Sequence, residues 1–593
     1  MPLTLAILLT PLLGALTVLA LPGGRPALVK GVSLAWTLLT LTLSLALACR
    51  FAWWEGGMQL SSSLPWASGL GLSFGLGVDG VSMWLLLLTT FLMPLVMLGS
   101  MNAGGVVDQR VKGYCFWLLT LEAAMAGVFV ATDAAFFYIC FEFTLIPMYF
   151  LIGVYGSTQR LRAARVFFLY TFTGSMLTFA GVLYAAWLNA SAPAQAWAGA
   201  GSWTFDIATL HRAAAATSPA DQAWLLGALL AGFAVKVPLF PFHTWLPLAH
   251  TEAPTAGSVV LAGVLLKLGT YAILRLALPL APHAAIEWAP VIGALATTGI
   301  LYAALICWVQ KDIKKLIAYS SVSHLGFCVL GLFALSSQQS LGASGAVAYM
   351  VNHGLSTGAL FLCVGMLYER FHTREMARFG GLARVMPLWS TFMVFFCLAS
   401  VGLPGLNGFV GEFLTLQGAF LAEGVLGPSY AAVAGVGMIL GAVYLLHLLG
   451  RIVWGPTKLP EDHHAHPSPH PGAGHEATAS GDTHPAHPHH PAHRARHDLS
   501  AREVAVLLPL AAACLLLGLF PTAMLKSIDA PVRQLTAPAA ALLSRREAAQ
   551  ARANPQAKPM VHGATLAATA DVRAARDGRA ARDGRDGKDG PAR

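Results

Sequence analysis

Charge is scarce in this sequence. Only 11% of its 593 residues are Asp, Glu, Lys or Arg, whereas 56% are hydrophobic and the mean hydropathy is +0.63. Soluble domains carry about 25% charged residues, so this composition excludes a soluble globular protein. Apolar runs of about 20 residues recur along the chain, and each is long enough to cross the bilayer as a helix. They predict an all-α, polytopic membrane protein of about fourteen transmembrane helices.

Paired cysteines and redox motifs are also missing. All eight cysteines lie within or at the ends of apolar runs without a paired spacing, which argues against a disulfide framework and an iron–sulfur cluster. The glycines of GLGLSFGLGVDG are not part of a βαβ unit, so we interpret them as a surface turn and not as a dinucleotide site. Since no motif for NADH, flavin or metal is present, we expect this chain to bind no cofactor and no metal.

The basic residues concentrate in alternate loops. Most of the loop lysines and arginines follow the first, third, fifth, ninth and eleventh apolar runs, and the intervening short loops carry few. This distribution matches the positive-inside rule. It explains the net charge of +9 without a nucleic-acid partner. It also predicts that both chain ends lie on the non-cytoplasmic side of the membrane. We expect this membrane to be a bacterial inner membrane.

Proline and glycine interrupt two of the apolar runs. Pro238 and Pro241 are expected to break one helix, and Pro404 with its neighbouring glycines another. The breaks lie five spans apart, and this odd number predicts two inverted five-helix repeats, each with a broken helix. The predicted organisation is 1–112 for helices 1–3, 113–278 for the first repeat, 279–456 for the second, 457–498 for a His/Pro-rich cytoplasmic linker, 499–527 for helix 14 and 528–593 for a disordered polar tail.

Histidine, proline and alanine dominate the linker between Pro460 and Asp498. Such a tract can bind zinc or nickel. The irregular histidine spacing and the prolines favour a solvated linker, and a metal role stays open as the alternative. The end of the tail reads AARDGRAARDGRDGKDGPAR, which is too polar to bury a core.

Two lysines lie inside consecutive apolar runs of the first repeat. Lys236 lies thirteen residues beyond the start of its run at residue 223, and Lys267 lies twelve beyond the start of the next at residue 255. At 1.5 Å per residue they are about 20 and 18 Å along their helices. Glu142 lies nine residues beyond the start of the fifth run at residue 133, or about 14 Å, so all three groups reach a similar depth. Charge at this depth is costly and by default indicates function. A static Glu142–Lys236 ion pair that fixes helix packing is the alternative, although it leaves Lys267 unpaired.

The second repeat carries different titratable residues at comparable positions. His324 and His353 lie in the tenth and eleventh runs, and Glu412 follows the glycine-rich break GLPGLNGFVGEF. Each histidine taken singly fits a hydrogen-bonded core histidine as well as a proton relay. Their common depth with the charged residues favours the relay.

Several long motifs together resemble one known family. They are GVDGVSMW, FVATDAAFFYICFEFTLIPMYFLIGVYG, AVKVPLFPFHTWLPLAHTEAPTAGSVVLAGVLLKLG, DIKKLIAYSSVSHLGF and GLPGLNGFVGEF. The region from about Gly77 to Met524 resembles the antiporter-like membrane subunits of NADH:quinone oxidoreductase (respiratory complex I), most closely the M type. Glu412 favours that type, because the sister types and the related antiporter subunits usually carry lysine there. Arg165 departs from the family pattern, which leads us to expect lysine.

This resemblance implies roles for the titratable residues. Glu142 and Lys236 would form a charge pair, Lys267, His324 and His353 would continue a hydrophilic axis, and Glu412 would be its terminal proton site. The chain would then pump protons within an enzyme complex while NADH, FMN, iron–sulfur clusters and quinone bind to partner subunits. Its neighbours would be the L-type and N-type subunits and membrane lipid, with no nucleic acid. A subunit of a multisubunit sodium/proton antiporter or of a membrane-bound hydrogenase remains the alternative.

Overall fold

A computed structural model describes residues 2–102, 104–460 and 498–553. Most of the predicted His/Pro-rich linker, residues 461–497, and residues 554–593 of the predicted tail lie outside the described residues. The N-terminal part contains the helices α1 Leu3–Ala20, α2 Pro26–Arg50, α3 Gly80–Gly99 and the short α4 Val106–Gln109, with β1 Gln59–Ala67 and β2 Leu72–Val78 between α2 and α3. Short 3-10 turns occupy Ser68–Leu70, Ser100–Asn102 and, further along, Met376–Arg378.

The glycine-rich stretch before α3 forms more than the predicted surface turn. Its residues make up β2, which pairs antiparallel with β1 and places Ser63 opposite Gly75. Gly71 enters the hairpin with φ +67°, and a Cβ there would lie 2.2 Å from the carbonyl oxygen of Trp203. The predicted surface turn is present at the start of the motif, but β2 was missed because its partner strand β1 lies upstream of the glycine pattern.

The first five-helix unit contains the two predicted intramembrane lysines, Lys236 and Lys267. Its elements are α5 Val111–Val130, α6 Ala134–Phe143, α7 Leu145–Tyr155, α8 Arg160–Ala190, α9 Ile207–Ala214, α10 Pro219–Lys236, α11 Trp245–Glu252, α12 Thr255–Val260, a π-helical segment Leu261–Leu265, α13 Leu266–Ala272, a second π-helical segment Ile273–Ala277 and α14 Leu278–Leu280. The predicted break is confirmed, because α10 ends at Lys236, two residues before Pro238. A second break at Thr144 was not predicted. Pro147 explains it, since it lacks the N–H that would bond to Phe143.

The second unit repeats the order of the first. Its elements are α15 Pro282–Val309, α16 Ile313–Phe333, α17 Leu341–Phe371, α18 Leu382–Val385, α19 Pro387–Val401, α20 Asn407–Leu421 and α21 Pro428–Ile452. In both units a third helix of 31 residues, α8 or α17, packs along a broken fourth crossing, α10–α11 or α19–α20. Because each unit crosses the membrane five times, the second begins from the opposite side, which is the inverted-repeat arrangement.

Within the described residues, twelve helical runs are long and apolar enough to span a membrane. The two broken crossings bring the architecture to the predicted number of about fourteen spans. The α12–α14 run and α17 are enclosed along their length by other helices. These two elements therefore hold polar groups away from lipid.

The C-terminal part differs from the prediction. Helix α22 spans Ala501–Leu519, and α23 spans Pro521–Ala553 where residues 528–553 were expected to be disordered. The tail prediction is therefore wrong over these residues. The polar composition of this region does not reveal that its apolar residues recur every three or four positions and form a stripe along one face of the helix. The buried residues of this stripe are Met524, Ile528, Val532, Leu535, Ala539 and Leu543.

Helix α23 crosses the ends of the membrane helices. Ser527 accepts from Trp84 Nε1 at 2.8 Å near the start of α3, and Glu547 accepts from Ser337 in the loop after α16 at 2.7 Å. Arg546 lies 3.6 Å from Glu287 near the start of α15. We call the end of the molecule that carries the β-hairpin, α9 and α23 the hairpin face. The opposite end, with the basic loop between α15 and α16, is the lysine-loop face.

Candidate functional site

The six predicted residues lie at helix breaks or inside enclosed helices. Glu142 is in the last turn of α6, Lys236 is the last residue of α10, and Lys267 is in α13. Glu412 is in α20, just after the glycine-rich break between α19 and α20. His324 and His353 lie within α16 and α17. Five of the six are at most 4% exposed, and Glu142 is the half-buried exception.

Lys236 is held at the unpredicted break between α6 and α7. Its ammonium donates to Thr144 Oγ1 at 3.0 Å and to the carbonyl of Phe141 at 3.3 Å, and it lies 4.3 Å from the centre of the Phe141 ring. The last carbonyls of a helix lack intrahelical partners, so the end of α6 offers a ready acceptor. The break therefore supplies the contacts that fix the lysine.

Glu142 does not close an ion pair with Lys236 in this structure. Among the described residues, no carboxylate oxygen of Glu142 lies within 4 Å of the Lys236 ammonium, and Glu142 Oε1 is buried without a hydrogen-bond partner. Both groups nevertheless belong to the same break, since Lys236 bonds to the carbonyl of the residue before Glu142. The structure shows the predicted pair in a separated arrangement.

Lys267 begins a second cluster. Its ammonium donates to the carbonyl of Ala262, which lies in the π-helical segment before α13, and it lies 2.7 Å from His353 Nδ1. Such π segments occur frequently at functional sites because they disturb the regular backbone ladder. Here the segment directs a backbone acceptor toward a lysine that has no solvent exposure.

Several contacts of this cluster converge on His324. The rings of His353 and His324 are 5.6 Å apart, and His324 Nδ1 lies 2.5 Å from the hydroxyl of Tyr349 and 3.4 Å from Glu412 Oε1. The Tyr349 hydroxyl in turn donates to Glu412 Oε1. Lys267, His353, His324 and Glu412, which the sequence analysis singled out separately, thus form one chain of buried polar groups.

The glycine-rich break before α20 makes room for the carboxylate. Gly402 has φ +81°, and a Cβ there would lie 2.5 Å from Glu412 Oε2. A side chain at this position would therefore displace the carboxylate. The break thus has a steric role beside the predicted interruption of the helix.

Tyr349 was missed by the sequence analysis. It lies four residues before His353 on α17, so both side chains share one helix face. It is 2% exposed and bridges His324 to Glu412. A polar aromatic residue one turn from a membrane histidine was the available signal.

His250 is another buried titratable group outside the prediction. It is fully buried in α11, stacks on Phe361 with ring centres 4.6 Å apart, and has neither ring nitrogen hydrogen-bonded among the described residues. Within those residues no hydrogen bond joins Lys236 to Lys267. The two clusters are therefore separate, and α10 packs directly against α13 between them.

Comparison with known proteins gives a family match over more than half of the chain. Residues 131–450 match the family described as NADH:quinone oxidoreductase/Mrp antiporter, TM. Subunit M of NADH-quinone oxidoreductase from Rhodobacter capsulatus is 40% identical over 521 residues, which cover 85% of this chain and 90% of that protein. Chain 4 of NADH-ubiquinone oxidoreductase from Marchantia polymorpha is 40% identical over 453 residues, which cover 76% and 86%.

Solved structures share the architecture. A chain of respiratory complex I from Thermus thermophilus with bound NADH matches with a TM-score of 0.74 at 31% identity, over 91% of this chain and 99% of that one. A chain of the Mrp complex from Dietzia sp. DQ12-45-1b matches with a TM-score of 0.73 at 21% identity, which shows the fold alone. The fold and the site thus define an antiporter-like membrane protein. The chain belongs to the NADH:quinone oxidoreductase/Mrp antiporter family.

Proposed function

We propose that this chain is the proton-translocating M-type membrane subunit of an NADH:quinone oxidoreductase. The observation that carries the proposal is the buried chain of polar contacts from Lys267 through His353, His324 and Tyr349 to Glu412. Buried titratable groups in a membrane protein are otherwise costly, and an arrangement in series is suited to passing protons. The 40% identity to proteins named subunit M and chain 4 supports the same assignment.

The hydrogen bonds of this chain can all point in one direction. Lys267 donates to His353 Nδ1, which leaves the proton of a neutral His353 on Nε2. If His324 carries its proton on Nδ1, it donates to the Tyr349 oxygen, and Tyr349 donates to Glu412. A proton released by Lys267 then moves toward Glu412 by successive transfers. The gap between the two histidine rings requires a bridging water.

Lys236 and Glu142 would control the entry to this series. In the separated arrangement Lys236 is held by neutral oxygen atoms, whereas a closed pair with Glu142 would stabilise its charged form. Movement between the two arrangements would change when Lys236 holds its proton. We assign the driving redox reaction, with NADH, FMN, iron–sulfur clusters and quinone, to partner subunits.

The proposed setting is a bacterial inner membrane with both chain ends on the non-cytoplasmic side. We propose L-type and N-type antiporter-like subunits as neighbours. Half-buried Glu142 supports a protein neighbour, because a carboxylate facing lipid would be costly.

Purification of the native complex tests the assignment. In mild detergent the chain is expected to remain with NADH-oxidising and iron–sulfur subunits, and NADH should acidify membrane vesicles that contain the complex. Lys267→Ala should assemble but lose most of that acidification. Recovery with cation/proton antiporter subunits alone, or normal acidification by the assembled Lys267→Ala complex, would contradict the proposal.

A further inference from the structure

A polar line leaves Lys267 in a direction that the proposed path does not use. Lys267, Tyr271 and Arg275 follow one another at intervals of four residues, so they share one face of the α13 region. At 1.5 Å per residue, Arg275 lies about 12 Å nearer to the hairpin face than Lys267. The first two side chains are fully buried and Arg275 is 4% exposed. This line connects the level of Lys267 with the hairpin face.

An open cavity lies at the end of this line. Its volume is about 350 Å³, and beside several apolar side chains its lining includes the polar residues Asp79, Thr132, Asp206, His211, Arg275 and Gln534. A cavity with this volume and so many polar groups can hold several water molecules. Water on the hairpin face therefore reaches the guanidinium of Arg275.

Several contacts fix Arg275 at the inner end of the cavity. Its Nη2 lies 2.5 Å from Asp79 Oδ2, and its Nε donates to the Tyr271 hydroxyl at 3.2 Å. Asp79 is itself held because its Oδ1 caps α3 by accepting from the Ser82 N–H at 2.9 Å. The backbone carbonyl of Arg275 lies 2.9 Å from His211 Nε2.

His211 contributes a stable donor to this arrangement. It lies in α9, outside the membrane spans, and burial together with the nearby Arg275 charge lowers its pKa to about 4. The ring is therefore neutral at pH 7 and can keep one N–H directed at the Arg275 carbonyl.

We propose that the Arg275–Asp79 pair is a barrier that stops protons from returning from the hairpin-face cavity to Lys267. A guanidinium keeps its proton at every physiological pH, so it cannot relay one. The ion pair with Asp79 and the hydrogen bond to the Tyr271 hydroxyl hold this group between the cavity and Lys267. Without it, the Tyr271 hydroxyl and water would connect Lys267 with the cavity and drain the proton gradient. The inference rests on the proposed function, in which Lys267 carries protons.

A purely structural ion pair is the simpler account of the same contacts. It would tie the start of α3 to the end of the α12–α14 run. The two accounts differ for Arg275→Lys, because lysine preserves the charge next to Asp79 but can release its proton. A structural pair tolerates this change, whereas a proton barrier does not.

The test measures passive proton leak. Membrane vesicles with the assembled complex receive an imposed pH difference without NADH, and a pH-sensitive dye follows its decay. We expect Arg275→Lys and Arg275→Gln to speed the decay severalfold over wild type at equal complex content. Adding Lys267→Ala to Arg275→Lys should restore the slow decay, because the leak passes through Lys267.

Arg370→Gln is the matched control. This variant removes the ion pair between Arg370 and Glu503, whose length of 2.7 Å is similar to that of the Arg275–Asp79 pair. The pair lies at the lysine-loop end of α17, away from the line of Lys267, Tyr271 and Arg275. The decay should therefore stay slow. If the pH difference decays in the assembled Arg275→Lys complex at the wild-type rate, the barrier proposal is refuted. If Arg275→Gln does not assemble, the result for Arg275→Lys is sufficient. Equal leak from Arg370→Gln also overturns the barrier proposal. If the proposed function itself is wrong, NADH will not acidify vesicles that contain the wild-type complex. This outcome distinguishes its failure from failure of the barrier proposal.

Discussion

Replacing Tyr349 with phenylalanine removes one hydroxyl from the middle of the polar chain and leaves the ring in place. The hydroxyl donates to Glu412 Oε1 and lies 2.5 Å from His324 Nδ1. A hydrogen bond to a charged group contributes ~1.5–3 kcal/mol, and each ~1.4 kcal/mol changes a rate about tenfold. His324 Nδ1 remains 3.4 Å from Glu412 Oε1, so a direct contact survives. We therefore expect the pumping rate to fall about tenfold and not to zero.

The assay is acidification of membrane vesicles per NADH oxidised, with complex content matched by quantifying the subunits. Tyr444→Phe is the control, because the Tyr444 hydroxyl lies 3.5 Å from the other nitrogen of His324 and is also fully buried. It loses the same atom at a weaker contact and should retain most of the pumping. Equal pumping by Tyr349→Phe and wild type, or an equal loss in both variants, would refute the assignment of Tyr349 to the path.

Three further predictions concern the ends of the path and the histidine-rich linker. Glu142→Gln or Lys236→Ala should strongly depress coupled NADH:quinone reductase activity and pumping, and full coupled activity in either assembled variant would remove the pair from the path. Glu412→Gln should assemble and lose pumping while Glu412→Asp retains a part, since a carboxyl exchanges a proton and an amide does not; an equal proton yield from Glu412→Gln and wild type would speak against its role. Deleting residues 463–493 should leave assembly and pumping nearly intact, and a chelator response seen in wild type but not in the deletion would identify a metal role instead.

The interruptions of the helices could be read from local chemistry. Pro238 removes a backbone donor wherever it occurs, and α10 ends two residues before it. The break between α19 and α20 follows Val401, where Gly402 and Pro404 begin the predicted joint. The break at Thr144 has the same local cause, Pro147, but a single proline within a strongly apolar run left no further signal.

Contacts between distant segments were not available from the same reasoning. The resemblance implied that Glu142 pairs with Lys236, yet Lys236 contacts Thr144 and the carbonyl of Phe141. Helix α23 was missed because its contacts are with residues far away in the chain, such as Ser337. The β-hairpin was missed although its two strands are neighbours in the chain. For α23 the apolar stripe was present in the sequence, but the charged residues between its members dominated the composition.

The sequence alone establishes the membrane class and the approximate number of crossings, and it predicts a similar depth for the titratable groups. These follow from local properties, since a helix advances 1.5 Å per residue and a bilayer core is ~30 Å thick. Which of these groups meet depends on how the helices pack in three dimensions. Helix rotation and packing place the Tyr349 hydroxyl between His324 and Glu412. They also direct Arg275 to Asp79, which lies 196 residues earlier in the chain. Depth is a property of one helix, whereas a contact requires the orientation of two.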